Sequence, residues 1–171
     1  MADPLGSTPA GSAGDMFLHV KGARCGVIKG ESQDDVHKGE IDVLSWSWGM
    51  QALPSLGGGG ASGKPNIHEL KVVKFVDSAS TALMSALRTN EMITKAVLTV
   101  RKAGRSPLEY LRVIIEQGRV TGLTVEVVDE SPKLVERLSF SFNRISVEYT
   151  PQGKDGQPLG GMVYSDQFGA E

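Results

Sequence analysis

The glycine-rich segment at residues 58–64 is the part of this chain that comes nearest to a site for phosphate chemistry. It has the G-x-x-x-x-G-K spacing of a loop whose backbone N–H groups and lysine surround phosphate groups. The next position should be a Ser or Thr that ligates magnesium, but it is Pro65. Residues 67–73 are typical of a strand, not of the helix whose N-terminus would hold phosphate. The segment therefore favours a flexible glycine loop over a nucleotide site.

The histidines and the single cysteine show no spacing typical of a metal or catalytic site. His19, His37 and His68 lack the i, i+2 or i, i+4 separation of metal ligands, and Cys25 has no cysteine partner. A nucleophilic cysteine needs a neighbouring base, and the residues beside Cys25 fit a surface turn equally well. We therefore predict no catalytic residue, no metal site and no cofactor.

Composition excludes several classes of partner. The chain has 171 residues, the size of one domain. Its 18 basic and 20 acidic residues give a net charge of −2, so no basic field exists to attract nucleic acid or an anionic membrane. No stretch reaches the roughly 20 apolar residues of a membrane span. The N-terminus lacks a basic start and apolar run, so we expect synthesis in the cytoplasm without a Sec signal.

Short segments rich in β-branched and aromatic residues predict a mainly β fold. The apolar face moves from even to odd positions near Asn143, which requires a bulge or bend where a strand passes between packed sheets. We expect a small curled antiparallel β-barrel of two packed sheets, forming a single domain at 15–171 after a disordered tail at 1–14. The strand-like segments are 16–20, 40–50, 67–76, 93–102, 108–117, 119–129 and 134–150.

One short flanking helix and one long loop interrupt this pattern. A helix is predicted at about 77–89, where Asp77 or Ser78 can cap the N-terminus and Asn90 can end it. The glycine-rich loop at about 51–66 is long, since most connections have about 4–6 residues. Such a loop is either a mobile hairpin tip or a segment that orders on a partner.

Both tryptophans lie two residues apart in one strand-like segment. Alternation places Leu44, Trp46 and Trp48 on one face, and we assign them to the core together with Phe140 and Phe142. Ser45 and Ser47 then lie on the opposite, wet face. From alternation alone, these serines can line a functional surface, sit on an ordinary outer surface or lie under another strand.

A local basic group is formed by Arg101, Lys102 and Arg105. It lacks the interleaved aromatic residues of a platform for single-stranded nucleic acid. One interpretation is a solvated strand end. The other is the polar rim of an interface between subunits, with partners among the acidic residues Glu31, Asp34 and Asp35 of a neighbouring copy.

Four stretches of this sequence together resemble the Hcp family, the tube-forming secreted proteins of bacterial type VI secretion systems. The resemblance extends from about residue 16 to 151, and the stretches follow the family's order. The tail at 1–14, the residues at 23–27 and the C-terminal end depart from the family pattern. The matching stretches are 29–32 (Lys-Gly-Glu-Ser), 37–49 (ending Ser-Trp-Ser-Trp-Gly), 57–64 (Gly-Gly-Gly-Gly-Ala-Ser-Gly-Lys) and 99–104 (Thr-Val-Arg-Lys-Ala-Gly).

The resemblance implies a structural role. Six copies would close into a ring, and stacked rings would form a tube that the type VI machine secretes to the extracellular space or a target cell. It implies a tail-spike tip protein and a contractile sheath as partners, and effector proteins carried in the lumen beside Ser45 and Ser47. The loop that would reach the next ring comprises Leu56, Gly57, Gly58, Gly59, Gly60, Ala61, Ser62, Gly63 and Lys64.

Two other functions are compatible with a small β-barrel. In the first, a monomer binds a small ligand in a pocket lined by Trp46 and Trp48, although a buried tryptophan is more often part of a core. In the second, the barrel binds oligonucleotides, which the negative net charge disfavours. The alternative to a tube subunit is therefore the monomeric ligand-binding barrel.

Overall fold

The computed structural model describes residues 15–52, 65–103, 107–127 and 133–168. The predicted tail at 1–14 and the loop residues 53–64 lie outside these ranges. The described residues are mainly β, with one helix, α1, at Ser80–Arg88. The strands are β1 Met16–Gly22, β2 Gly26–Ile28, β3 Ile41–Asp42, β4 Ser45–Ser47, β5 Met50–Gln51, β6 Asn66–Ile67, β7 Leu70–Phe75, β8 Ile93–Arg101, β9 Glu109–Val127, β10 Leu134–Ser141, β11 Arg144–Tyr149 and β12 Met162–Gln167.

The strands form an antiparallel sheet that curls into two layers sharing β9. The first part of β9 pairs with β8 on one side and β11 on the other, and its second part pairs with β10. The first layer runs β2, β1, β8, β9, β11, β12, and β3 also pairs with β1. The second layer runs β9, β10, β7, β4, while β5 and β6 form a separate ladder. The predicted curled antiparallel fold is confirmed. The sheet is curled, but no ladder among the described strands closes it into a barrel.

A kink in the middle of β9 changes which side of the strand meets the core. Ile115 is buried before the kink and Val120 after it, so the buried positions change from odd to even. At the kink a Cβ on Gly118 would lie 2.1 Å from the carbonyl oxygen of Ser141, so only glycine fits. The sequence indicated two strands that break at Gly118; the structure corrects this to one kinked strand.

The same change occurs at Asn143, and there the sequence prediction is confirmed. Phe140 in β10 and Ile145 in β11 are both fully buried, one at an even position and one at an odd position. β10 pairs with β7 in the second layer, whereas β11 pairs with β12 in the first. The chain therefore passes from one layer to the other at the residue where its apolar face changes.

The segment that contains the tryptophans is bent between two layers instead of forming one strand. The Val43 N–H donates to the Met16 carbonyl in β1 at 3.0 Å, and the next N–H, of Leu44, donates to the Val73 carbonyl in β7 at 2.8 Å. Ile41 is buried on the β1 side of this bend. The prediction that Leu44 belongs to the core is wrong: its side chain is 40% exposed because it lies at the bend.

Helix α1 covers the core at one end of the sheet. It is shorter than the predicted 77–89, and its buried stripe includes Leu83 and Ala86. Asp77 precedes the helix and accepts a hydrogen bond from the Ala79 N–H at 3.0 Å. Asn90 ends it in the left-handed region, with φ 52°.

A fully buried ion pair lies where β7, β10 and the start of α1 meet. Lys74 and Glu136 are both 0% exposed, and the Lys74 Nζ lies 2.5 Å from the Glu136 Oε2. The same ammonium group contacts Asp77 Oδ1 at 2.7 Å and the Phe75 carbonyl at 3.0 Å. The Ser80 hydroxyl donates to Glu136 Oε2 at 2.8 Å. This network joins the β7–β10 ladder to the first turn of the helix.

A second ionic group fixes the connection between β2 and β3. The Arg101 guanidinium lies 2.5 Å from Asp34 Oδ2 and 2.8 Å from Asp15 Oδ2, and it covers the Phe17 ring at 5.1 Å. The N–H groups of Val36 and His37 donate to the other oxygen of Asp34. The Arg101 hydrogen bond, followed by those N–H groups, lowers the pKa of Asp34 to about 2. Arg101 and Asp34, both predicted as interface residues, thus pair within one chain, and their role in contacts between copies stays a prediction.

Removing the Lys74 charge should destabilise the protein strongly. We expect Lys74→Met to lower the free energy of unfolding by about 3–5 kcal/mol, because Glu136 would remain buried as an unpaired charge. The double variant Lys74→Met/Glu136→Leu should recover much of this loss. The measurement is urea unfolding followed by tryptophan fluorescence.

Lys71 is the matched control, since it lies on the same strand but is exposed. Lys71→Met should change the free energy of unfolding by less than about 0.5 kcal/mol. Equal losses for the Lys71 and Lys74 variants would contradict a role for the buried pair.

Asp34 should contribute to stability in a pH-dependent way. Its pKa of about 2 in the folded protein is below the ordinary 3.8, so the carboxylate stabilises the fold above pH 3.8 and the effect is lost as pH falls through about 2. We expect the difference in urea midpoint between wild type and Asp34→Asn to be constant above about pH 5 and to vanish near pH 2. Asp35→Asn, at an exposed neighbour, is the matched control and should change the urea midpoint little at pH 7. A pH-independent difference for Asp34→Asn would contradict this assignment.

Candidate functional site

The exposed face of the second layer carries a regular patch of hydroxyl and basic side chains. Ser47 in β4 is paired with Lys71 in β7, which is paired with Ser139 in β10. One row along, Ser45 is paired with Val73 and Val73 with Arg137. Residues directly opposite in paired strands point to the same face, so these six form one surface, which we name the serine face.

The opposite side of the same strands is the core. Val72 and Leu138 are at most 1% exposed, and Trp46 packs against the core. Alternate residues of a strand point in opposite directions, so with Trp46, Val72 and Leu138 facing the core the serine face points away from it. The prediction that Ser45 and Ser47 point away from the core agrees with their exposure.

The serine face forms a shallow cleft of about 360 Å³. Lys71 and Arg137 are the charged residues that line it. The Arg137 Nε lies 2.5 Å from Glu126 Oε1 on β9, so its charge is compensated. Lys71 makes no ion pair or hydrogen bond through its side chain to any residue in the described ranges. The cleft therefore presents hydroxyl groups around one uncompensated ammonium group.

The predicted core aromatic residues are buried to different degrees. Phe140 is fully buried, and Phe142 and Trp48 are half-buried against the core. The Trp48 ring lies 6.5 Å from the Tyr164 ring of β12. The Trp48 Nε1 is buried without a hydrogen-bond partner among the described residues. Both tryptophans thus serve mainly to pack the short strands onto the sheet.

The remaining interface candidates do not form one group. Glu31 and Asp35 are exposed in the connection between β2 and β3. Lys102 is exposed beyond the end of β8, with its Nζ 5.4 Å from the centre of the Tyr110 ring. Arg105 lies outside the described residues. Their role in contacts between copies stays a prediction.

The predicted ring-stacking loop lies between two strands that are described. Its candidate residues, 56–64, are all outside the described ranges. The flanking strands pair at Met50 with Ile67 and at Gln51 with Asn66. The His68 N–H donates to the Gly49 carbonyl at 2.9 Å. The ends of the loop are thus held together by an antiparallel ladder.

His37 forms a hydrogen-bonded site that sequence reasoning missed. It is buried, with its Nδ1 2.8 Å from Glu40 and its Nε2 2.8 Å from Glu109, and its ring stacks on Phe17 at 4.3 Å. The spacing of His37 and Glu40 was a local signal, but Glu109 is 72 residues away. The site ties the connection between β2 and β3 to β9.

Cys25 lacks the surroundings of a reactive thiolate. Burial, and then the nearby Glu91 carboxylate, raise the pKa of the Cys25 thiol. Glu91 accepts hydrogen bonds from the N–H groups of Arg24 and Cys25 at 2.7 and 2.8 Å, which lower the pKa of Glu91. These bonds hold the turn between β1 and β2 against the end of α1. The arrangement is that of a structural turn, with the thiol in its neutral form.

The described ranges hold no cluster of three or more His, Cys, Asp or Glu side chains placed to bind a metal ion. The described helix does not have the length and apolar character to cross a membrane.

Comparison with known proteins places the fold in a family. Residues 17–149 match the family model described as "Type VI secretion system effector, Hcp". Protein hcp1 of Pseudomonas aeruginosa (strain PAO1) is 38% identical over 152 residues, which cover 87% of this chain and 91% of that protein. The crystal structure of Hcp1 from Salmonella typhimurium has a TM-score of 0.72 at 30% identity, covering 91% of this chain and 95% of that one.

A further solved structure, of a type six secretion system protein, matches the fold with a TM-score of 0.80. Its identity is 24%, and the match covers 91% of this chain and 96% of that chain. The family model spans the core strands from β1 to β11, which include the serine face. The chain belongs to the Hcp family of type VI secretion system proteins.

Proposed function

We propose that this chain is a structural, non-catalytic subunit of the type VI secretion inner tube. Six copies close into a ring by a head-to-tail contact, and the rings stack into a tube. The protein is made in the bacterial cytoplasm and is secreted by the type VI machine, with the tip protein and the contractile sheath as partners. Effectors travel in the lumen against the serine face. The observation that carries the proposal is the family match over residues 17–149.

The outer edge of β12 supports a contact between copies. Among the described strands, β12 pairs with β11 alone, and all six of its residues are exposed. Met162 and Val163 are 65% and 66% exposed. A free strand edge with apolar side chains is a template for association with another chain. A contact between two different surfaces closes into a ring when its rotation permits.

The serine face supports the lumen assignment. It is a hydroxyl-lined cleft on the second layer, whereas β12 belongs to the first layer, and the two layers meet where Trp48, next to Ser47, packs 6.5 Å from Tyr164. A contact that pairs along β12 uses the backbone groups of that strand and none of β4, which leaves Ser45 and Ser47 available to face the tube interior.

We expect the purified protein to form rings. Light scattering across a dilution series should give a mass near six protomers of 18.2 kDa, with annular particles in negative-stain images of the same fractions. Val163→Lys should shift the mass toward the monomer, because a charge on an edge strand opposes pairing. The control is Met84→Lys on the exposed side of α1, which should leave the ring intact. A wild-type monomer at all concentrations would overturn the tube proposal and favour the ligand-binding barrel.

Ser47→Glu should abolish cargo binding without dissolving the rings. The larger, charged side chain would occupy the cleft that Ser47 and Lys71 line. The core residues on the other side of these strands, such as Val72 and Leu138, would stay unchanged. The measurement is co-purification of a tagged effector of the producing strain with the rings. Ser85→Glu, at an exposed serine on α1, is the matched control and should retain cargo. Loss of rings with retained cargo would contradict the lumen assignment.

A further inference from the structure

The serine face has a charge that differs from that of the chain as a whole. The net charge of the protein is −2, yet the charged residues that line the cleft are both cations. Glu126 compensates Arg137, which leaves Lys71 as the unbalanced charge of the cleft. Lys74, three residues along β7, points into the core and is fully paired. Of these two lysines on β7, the buried one is paired and the exposed one is not, so the uncompensated charge lies on the serine face.

Hydrogen-bond donors surround the free ammonium group. Ser47 and Ser139 are its direct neighbours on either side, in β4 and β10. Ser45 lies one row along on β4. The hydroxyl groups of these three serines make no hydrogen bond to other described side chains. A carboxylate can accept hydrogen bonds from an ammonium group and from hydroxyl groups together, and such charge-assisted bonds are stronger than neutral ones.

We propose that the serine face binds carboxylate side chains of an acidic segment of a cargo protein, with Lys71 as the charged contact and Ser47 and Ser139 as flanking donors. This inference rests on the proposed tube function, because it names the chemistry of the cargo. In a ring the patch repeats once per subunit, so one acidic segment can contact several copies and gain affinity from multivalency.

The charge and the aromatic residues of the serine face favour a protein ligand over a nucleic acid ligand. Binding a single nucleic acid strand combines a continuous basic groove with exposed aromatic side chains for stacking. Here one lysine in the cleft is uncompensated, and Trp46, the aromatic residue of its lining, packs against the core. A cleft of about 360 Å³ accommodates a few side chains.

The test measures fluorescence anisotropy of a labelled peptide of alternating glycine and glutamate, against its glutamine counterpart, on the full-length protein. We expect tighter binding of the glutamate peptide, weakened by added salt. Lys71→Met should reduce this affinity about fivefold, the range of one exposed ion pair, and Lys71→Glu should reduce it further. Lys154→Met, at an exposed lysine in the turn between β11 and β12, should change it less than about twofold.

Three binding results would overturn the inference. Equal affinity for both peptides, or equal losses for the Lys71 and Lys154 variants, would reject a carboxylate site on this face. Tighter binding of labelled oligothymidine than of the glutamate peptide would assign the face to nucleic acid. Light scattering on the same samples separates the two proposals: rings that do not discriminate between the peptides reject only the acidic cargo. Monomers that discriminate in a Lys71-dependent way reject only the tube.

Discussion

The change of partner between Val43 and Leu44 determines the architecture of this protein. Two consecutive N–H groups donate to β1 and β7, on opposite sides of the curled sheet. Buried backbone groups need hydrogen-bond partners. At this bend one short segment supplies donors to carbonyl groups of both β1 and β7. It also reverses which residues face inward, from Ile41 and Val43 before the bend to Trp46 after it. Because Trp46 then faces the core, Ser45 and Ser47 must face outward.

The same alternation gives the two lysines of β7 different roles. Lys71 lies outside beside serines, and Lys74 lies inside, paired with Glu136 and Asp77. Burying charges costs desolvation energy that a well-formed pair only offsets, so the Lys74 network is not a source of large net stability. Its effect is on register: a slip of β7 by one residue would bury Lys71 without a partner and expose Lys74. The buried pair thus disfavours the slipped register, in which Lys71 would no longer lie on the serine face.

Local patterns predicted the fold well where contacts are local. The change of apolar face near Asn143 correctly indicated a strand that passes between layers. The signal is local, because Phe140 at an even position and Ile145 at an odd position are both buried and lie five residues apart. Alternation also gave the outward orientation of Ser45 and Ser47. It failed for Leu44 because the bend depends on hydrogen bonds to β1 and β7, which no neighbouring residue encodes.

Polar contacts between side chains were predicted poorly because their partners are distant in the chain. Arg101 and Asp34 are 67 residues apart, and His37 and Glu109 are 72 apart. Sequence reasoning brought Arg101 and Asp34 together as a pair between copies, since charge complementarity does not distinguish a partner in the same chain from one in another. The fold decides this, because β1 and β8 are neighbours and place Asp15 and Phe17 beside Arg101.

The distribution of paired charges separates surfaces for self-association from surfaces for other partners. On the first layer, Arg112 pairs with Glu148 and Arg144 with Glu116, directly across β9 and β11. Exposed pairs of this kind each add less than about 1 kcal/mol of stability, but they neutralise the sheet next to the outer edge of β12. In a head-to-tail contact two different surfaces of the chain meet, so an unbalanced charge on one surface needs an opposite charge on the other. The uncompensated Lys71 lies on the second layer, outside the β11–β12 ladder, where its charge can select a partner of different composition.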